Sequence, residues 1–260
     1  IKLFYNSVMV RSELIIAGSN FIFNHISKNY QKYLNPKKKL MVIFRGINLE
    51  YFNSKNVSDK EINDLAQNWN ISKQNFIILL PGRLTKWKGQ EKFIEALSLL
   101  VENNNKNNFH AIILGSDQGR NIYTKKLFLL SERYRLGRKI TFIKSCKEMP
   151  IAYKLADIIV SSSIEPEAFG RVAVEAQAMS KPIIASSLGG SKETVLNGKS
   201  GLLYNSEDAE SLANIISRLM EADNNFLGLM GEQGRKNVEK KFNVDQMCQT
   251  TFTEYKKLLK

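Results

Sequence analysis

The sequence is poor in the residues and patterns that several classes of protein need. It has two cysteines, Cys146 and Cys248, and two histidines in 260 residues. The cysteines lie far apart and neither belongs to a CxxC pair, which argues against a zinc site or a disulfide framework and fits a reducing cytosol. No apolar run approaches the ~18 residues that a membrane-spanning helix needs. We therefore expect a globular protein of the cytoplasm.

What the sequence has in excess is positive charge, with 38 Lys and Arg against 25 Asp and Glu and a formal net charge of +13. We expect no nucleic-acid partner, because neither a nucleic-acid-binding fold nor interleaved aromatic and basic residues is present. The basic residues are spread along a chain rich in Lys, Asn and Ile, with one tight cluster at Lys37, Lys38 and Lys39. The excess of positive charge therefore has two alternative explanations. One is peripheral contact with an anionic inner membrane, and the simpler one is a biased genome composition.

Short apolar runs alternate with amphipathic stretches through the middle of the chain. Nearly unbroken hydrophobic runs are typical of strands covered on both faces. Strands that alternate with helices form parallel sheets with right-handed crossovers. The sequence therefore predicts an α/β fold with a doubly wound, Rossmann-like parallel sheet. The predicted strands are residues 76–80, 111–114, 140–143, 158–161 and 183–185, and the predicted helices are 89–101, 122–135, 149–156 and 171–179.

Further elements are predicted at both ends of the chain. They are strands at 13–17 and 40–44 around a helix near 20–30, helices at 209–220 and 226–239, and a last helix at 244–259 after a break at 242–243.

Ligands of such sheets bind beyond the carboxyl ends of the strands. The loops 82–89, 115–120 and 161–170 should therefore line one crevice. The first of them is bounded by glycines and holds Arg83 and Lys88. Glycine lets the backbone approach a ligand, and two cations can neutralise a diphosphate, each charge-assisted bond contributing roughly 1.5–3 kcal/mol. On its own, this loop could equally be a solvated basic turn.

Glu167 and Glu175 lie eight positions apart in the stretch EPEAFGRVAVEAQAM. A loop that opens into a helix near Phe169 and Gly170 exposes unpaired N–H groups and the positive end of the helix dipole, which attract anions. Two carboxylates beside a bare phosphate would repel it, but they suit an anion with hydroxyl groups at both ends, such as a nucleotide sugar. The alternatives are an ordinary proline-set loop for Glu167 and a solvated helix position for Glu175.

Several segments together resemble the C-terminal half of the retaining glycosyltransferases of family 4, which have the GT-B fold. These segments are GRLTKWKG, LGSD, ADIIVSSSIEPEAFGRVAVEAQAM, KPIIAS, GG and NGKSGLLY, with the family's E-x7-E spacing. The segment EAFGRVAVEA resembles the corresponding segment in the bacterial cell-envelope branch of the family, whose members glycosylate lipid-linked or lipopolysaccharide acceptors. Ser180 and Ser187 depart from the family, in which small residues, often glycine, are usual at these positions.

The resemblance implies a role for each matching residue. Arg83 and Lys88 would hold the diphosphate and stabilise the charge that builds up as it leaves, and Glu167 would bind hydroxyls of the transferred sugar. Glu175 would take the ribose hydroxyls. No metal and no cofactor is expected, because the cations and the helix dipole replace them. The remaining donor-binding residues would be Gly82 beside the diphosphate, Phe169, Gly170 and Arg171 at the sugar phosphate, and Ile143 and Lys144 at the base.

The resemblance also divides the chain. Residues 1–46 would be a remnant of the N-terminal acceptor domain, 47–241 the donor-binding domain and 242–260 the crossover helix. The first residue is Ile1 rather than methionine, so we interpret the chain as part of a longer protein whose missing N-terminal domain is an expected partner.

The expected function is the transfer of a sugar, with retention, from a nucleotide-diphosphate sugar to a lipid or oligosaccharide of the cell envelope. A truncated module that binds the nucleotide sugar without catalysis is the alternative. A sugar-nucleotide epimerase is a more distant alternative, since no acid–base pair for that chemistry is evident.

Overall fold

A computed structural model describes residues 7–34, 39–102, 108–119 and 121–259, whose strands form one six-stranded and one two-stranded sheet. All strand pairs are parallel. Lys37, Lys38 and Arg120 lie outside the described residues. The strands are β1 (Leu14–Ala17), β2 (Lys39–Val42), β3 (Phe76–Pro81), β4 (Phe109–Leu114), β5 (Ile140–Ile143), β6 (Ile158–Ser161), β7 (Ile183–Ser186) and β8 (Gly201–Tyr204).

Helices cover both faces of the larger sheet and join the two sheets. In the part of the chain that the structure describes, no helix has the length and apolar content needed to cross a bilayer. The α-helices are α1 (Asn20–Asn29), α2 (Asp59–Asn68), α3 (Gln90–Glu102), α4 (Asn121–Arg133), α5 (Met149–Leu155), α6 (Arg171–Ala178), α7 (Ser191–Thr194), α8 (Ala209–Glu221), α9 (Asn224–Lys241) and α10 (Val244–Leu258).

The doubly wound parallel sheet is confirmed, and all five strands predicted for it are present. Among the strands and α-helices of the described residues, three were not predicted: β8, α2 and α7. β8 is short and begins at a glycine, which weakens a strand pattern. α2 is mostly polar, but Ser58 and Glu61 form a capping box at its start, with the Ser58 Oγ accepting from the Glu61 N–H at 3.3 Å. That pattern is visible in the sequence and would have located the helix.

The order of the strands defines where a ligand can bind. The six-stranded sheet has the order β5-β4-β3-β6-β7-β8. The chain therefore builds outward from β3 to β5, then returns to β6 on the other side of β3 and builds outward to β8. The carboxyl ends of β3 and β6 flank the point at which the order reverses, and ligands of doubly wound sheets bind in the crevice at this point.

The apolar runs are continuous because alternate residues face two separate cores. On β3, Ile77 and Leu79 belong to one hydrophobic cluster, while Ile78 and Leu80 belong to the other. All six residues of β4 are buried, whereas every residue of β5 is only half-buried because β5 is an edge strand. This two-sided packing fixes the strand ends that present the loops of the site.

The small β1–β2 sheet is connected to the rest of the chain near residue 46. The Ile47 N–H donates to the Phe242 carbonyl at 2.8 Å, and the Val244 N–H donates to the Ile47 carbonyl at 3.2 Å. A Cβ on Gly46 would lie 2.3 Å from the Val244 Cα, so only glycine fits this crossing. Lys39 Nζ lies 2.6 Å from a carboxylate oxygen of Glu254 on α10. The predicted domain boundaries at 46 and 242 stay predictions.

Ser180 is the second residue after α6 and has a positive φ of 55°. This left-handed conformation follows many helices and is strained for any residue with a side chain other than Asn or Asp. The geometry supplies a physical reason why glycine would be favoured here.

Candidate functional site

The loops after β3 and β4 form one packed unit. The Gly82 N–H donates to the Leu114 carbonyl at 2.8 Å, and the Leu84 N–H donates to the Ser116 carbonyl at 3.0 Å. A Cβ on Gly115 would lie 1.9 Å from the Gly82 carbonyl oxygen, so the two backbones are in direct contact. Arg83 is exposed on this unit, and its carbonyl accepts from the Gln90 side-chain amide at 2.8 Å.

Gly89 attaches the same loop to the end of β6. Its φ is +69°, and a Cβ there would lie 1.8 Å from the Ser162 carbonyl oxygen. The Ser162 hydroxyl contacts the Lys88 and Gly89 carbonyls at 3.0 and 3.1 Å, and the Ile164 N–H donates to the Trp87 carbonyl at 2.8 Å. These contacts hold Lys88 against the loop that follows β6.

Lys88 and Glu167 form an ion pair at the reversal point of the sheet. The Lys88 Nζ lies 2.5 Å from the Glu167 Oε1, and the two side chains are only 13% and 11% exposed. The Ser163 hydroxyl donates to the same carboxylate oxygen at 2.6 Å. The ammonium also lies 4.4 Å from the centre of the Trp87 ring. A cation shielded from water in this way interacts more strongly with an approaching anion than an exposed lysine does.

α6 begins at Arg171, four residues after Glu167. Gly170 has a φ of 87° immediately before Arg171, and a Cβ there would lie 3.1 Å from the Thr194 Oγ1. The side chain of Phe169 is buried, with its ring edge-on to Phe242 at 5.5 Å between centroids. Phe169 therefore anchors the loop to the core, and the first backbone N–H groups of α6, which lack intrahelical partners, point beyond the helix end.

Glu175 is held from both sides of its carboxylate. The Tyr153 hydroxyl donates to Oε2 at 2.7 Å, and the Arg171 Nε donates to Oε1 at 2.6 Å. Tyr153 is completely buried, and burial together with the Glu175 charge raises the pKa of its phenol well above the usual value. The Arg171 side chain is 78% exposed. The phenol is a fixed partner, whereas the guanidinium is a partner that a ligand could displace.

A cavity of about 650 Å³ lies over Glu175. It contains three of the predicted site residues, Phe169, Arg171 and Glu175, and Arg45 brings a second cation to it. Lys88 and Glu167 meet beside it, joined to it through the loop that runs from Glu167 to Phe169. The other lining residues are Gly46, Ile47, Asn48, Tyr51, Phe52, Met149, Val174 and Met247.

Ile143 and Lys144, predicted to contact the base, do not line this cavity. The Ile143 carbonyl accepts from the Gly115 N–H at 2.8 Å, and Lys144 is exposed. Both lie at the end of the edge strand β5, although the connection that follows them brings Met149 into the cavity. Their role in donor binding stays a prediction.

Two further residues link the first helix to the site. Glu193 accepts from the Asn20 and Phe21 N–H groups at 2.8 and 2.6 Å, and so caps the start of α1. The Ser19 hydroxyl donates at 2.5 Å to the carbonyl of Ala168, which lies between Glu167 and Phe169. Neither Glu193 nor Ser19 was predicted to have such a role. Each is about 150 or more positions from its partner in the chain, and no local sequence pattern indicates the contact.

Replacing Glu193 with alanine is expected to loosen α1. The change removes a charged cap from the helix start, which is worth about 1–2 kcal/mol. Amide hydrogen exchange should therefore become faster over residues 20–29, and the midpoint of urea unfolding should fall. Glu232→Ala is the matched control, because Glu232 is exposed on α9. Equal exchange rates in the two variants would contradict a capping role for Glu193.

A doubly wound parallel sheet with a shielded cation and a helix start at its reversal point defines a class of α/β domain that binds nucleotides and related anions. The chain belongs to the glycosyl transferases group 1 family, whose model matches residues 61–237. Its fold is that of the GT-B glycosyltransferases.

Individual relatives support the same assignment. A crystal structure of a glycosyltransferase from Rickettsia africae superimposes with a TM-score of 0.89 at 32% identity, over 100% of this chain and 67% of that one. The Anabaena protein HepE, crystallised with UDP and glucose, superimposes with a TM-score of 0.87 at 25% identity, over 98% of this chain and 66% of HepE. An uncharacterised glycosyltransferase of Methanocaldococcus jannaschii is 29% identical over 223 residues, 85% of this chain and 55% of the relative. The chain thus spans about half the length of the curated relatives it matches.

Proposed function

We propose that the chain is the donor-binding part of a retaining glycosyltransferase of family 4. It would transfer a sugar from a nucleotide-diphosphate sugar to a lipid or oligosaccharide acceptor of the bacterial cell envelope. The observation that carries the proposal is the shielded Lys88–Glu167 pair next to the α6 start, with Glu175 in the adjoining cavity. The UDP and glucose bound to HepE support a nucleotide sugar as the ligand.

The proposed reaction places the diphosphate at Lys88. The bond between the sugar's anomeric carbon and the diphosphate oxygen breaks, and its electron pair stays on that oxygen. Lys88, with the exposed Arg83, offsets the negative charge that develops, and so does the dipole of α6. The acceptor hydroxyl attacks from the same face, and its proton passes to the departing diphosphate oxygen. Retention of configuration follows from attack on that face.

The two glutamates would bind the hydroxyl groups on either side of the diphosphate. Glu167 shares one carboxylate oxygen with Lys88 and Ser163, which fixes the orientation of its carboxylate, and the second oxygen would accept from hydroxyls of the sugar. Glu175 would bind the ribose hydroxyls when they displace the exposed Arg171 from its carboxylate. A displaced Arg171 remains at the cavity, where its charge can reach a phosphate.

No metal is assigned in this proposal, because Lys88, Arg83 and the helix start can supply the positive charge that the diphosphate needs. Within the described ranges, no group of three or more His, Cys, Asp or Glu side chains could hold a metal ion. The proposed place of action is the cytoplasmic face of the membrane, where a lipid-linked acceptor would be available.

The proposal is tested by binding and then by transfer. A panel of UDP-, GDP- and ADP-sugars is titrated into the chain while thermal unfolding is recorded. A donor present at a hundred times its dissociation constant should stabilise the fold by ~2.7 kcal/mol. No stabilisation by any member of the panel would contradict the proposal. Stabilisation without transfer to lipid-linked acceptors would instead favour the module that binds without catalysis.

A further inference from the structure

One short segment of the chain is strongly basic. Residues 125–139 contain six basic residues and only one acidic residue, so this segment supplies a large share of the net charge of +13 of all 260 residues. They belong to α4 and to the turn that leads into the edge strand β5. The basic residues are Lys125, Lys126, Arg133, Arg135, Arg138 and Lys139, and the acidic residue is Glu132. Lys126 forms an ion pair with Glu91 of α3, with 2.5 Å between Nζ and Oε2, and Lys139 is half-buried, whereas Lys125, Arg133, Arg135 and Arg138 are exposed.

Two exposed aliphatic side chains lie on the same helix as these basic residues, Ile122 just before Lys125 and Leu129 between Lys126 and Arg133. Ile122 and Leu129 are 83% and 65% exposed. They are seven residues apart on α4, about two turns, so they share one face of the helix. Lys125 lies between them and Arg133 one turn beyond Leu129, and both are exposed. The opposite face of α4 buries Leu127, so the fold does not need Ile122 and Leu129 for its core.

We infer that this basic surface on α4 binds an anionic lipid bilayer. Exposed cations attract anionic headgroups, and aliphatic side chains among them can enter the boundary between headgroups and acyl chains. A nucleic acid would match the charge and the arginines, but it would leave Ile122 and Leu129 without a contact, because single-stranded nucleic acids are bound mainly by stacking on aromatic and arginine side chains. The inference rests on the proposed function in one respect, namely that the acceptor is held in a membrane.

The position of the surface is compatible with an open site. Phe128 packs on Phe142 with 4.2 Å between ring centroids, which fixes α4 to β5. β5 is the edge strand, and β4 separates it from β3, where the ligand crevice begins. A bilayer bound along α4 would therefore not cover the Lys88–Glu167 pair.

The test measures binding of the purified chain to lipid vesicles, without any nucleotide sugar. Vesicles of equimolar phosphatidylglycerol and phosphatidylcholine should bind the chain, and vesicles of phosphatidylcholine alone should not. Lys125, Arg133 and Arg138 are replaced together by alanine. Since each exposed basic residue contributes about fivefold to the affinity, the triple variant should bind about a hundredfold more weakly. Replacing Ile122 and Leu129 by serine should weaken binding roughly tenfold with no change in charge.

The matched control removes the same charge elsewhere, from Lys60, Lys199 and Lys236, which are also exposed. This control should keep most of the affinity. An equal loss in both triple variants would overturn the inference, because binding would then depend on net charge alone. Tighter binding to single-stranded RNA than to anionic vesicles would also overturn it. UDP affinity should be the same in the wild type and the α4 triple variant, so a failure of this inference is distinct from a failure of donor binding.

Discussion

Replacing Lys88 with methionine is expected to lower the rate of sugar transfer by roughly 10²–10³-fold, the usual effect of removing one group that stabilises developing negative charge. Methionine keeps the length of the side chain but removes the ammonium that would face the leaving diphosphate. Lys86→Met is the matched control, because Lys86 belongs to the same loop and is exposed. It makes the same change in net charge and should retain nearly full activity.

The methionine variant must be separated from a simple loss of stability. Lys88 is the ion-pair partner of Glu167, so its removal leaves a largely buried carboxylate with only the Ser163 hydroxyl. Breaking a buried pair on one side costs up to about 3–5 kcal/mol, and somewhat less here because both side chains keep some exposure. The double variant Lys88→Met with Glu167→Gln removes both charges and should regain much of that stability.

The double variant should not regain activity, because the two charges act on different parts of the donor. Circular dichroism during urea unfolding gives the stability, and donor-dependent transfer gives the rate. If transfer returned together with stability, Lys88 would be a structural residue and the proposed role in charge stabilisation would be wrong. Equal activity of the Lys88→Met and Lys86→Met variants would have the same meaning.

The fold could be predicted from the sequence because its main signal is local. Runs such as residues 76–80 and 158–161 are apolar throughout, and this pattern arises directly from burial on both faces of a parallel sheet. The topology then implied that the loop with Lys88 and the loop with Glu167 lie side by side, and in the structure these two residues are in contact. Strand order therefore carried information about the site as well as the fold.

Contacts that depend on packing between distant elements could not be predicted in this way. Tyr153 lies 22 positions before Glu175 on a different helix, and nothing in the periodicity of α5 distinguishes its hydroxyl from that of an ordinary core tyrosine. The Glu193 cap on α1 is a similar case. Nothing in the sequence around Glu193 indicates that its carboxylate contacts a helix of the two-stranded sheet. Such partners emerge only when helices are placed in three dimensions.

Glu175→Ala is expected to lower the affinity for UDP by about a hundredfold or more. A carboxylate that accepts two ribose hydroxyls makes two charge-assisted hydrogen bonds, each worth roughly 1.5–3 kcal/mol. The change also leaves the buried Tyr153 hydroxyl without its acceptor, which costs about 1–3 kcal/mol of stability. Isothermal titration with UDP measures the first effect, and urea unfolding measures the second. Glu165→Ala is the control, because Glu165 is an exposed carboxylate in the neighbouring loop.

Tyr153→Phe separates the two effects of the Glu175 variant. The phenylalanine removes the hydroxyl that orients the carboxylate but leaves the carboxylate in the cavity with Arg171. UDP affinity should therefore fall only a few-fold. In the double variant with Glu175→Ala, both polar groups are gone, so stability should recover while UDP affinity stays low. If Glu175→Ala bound UDP as tightly as Glu165→Ala, the carboxylate would serve only to hold Tyr153 and Arg171 in place, and the ribose would have to bind elsewhere in the cavity.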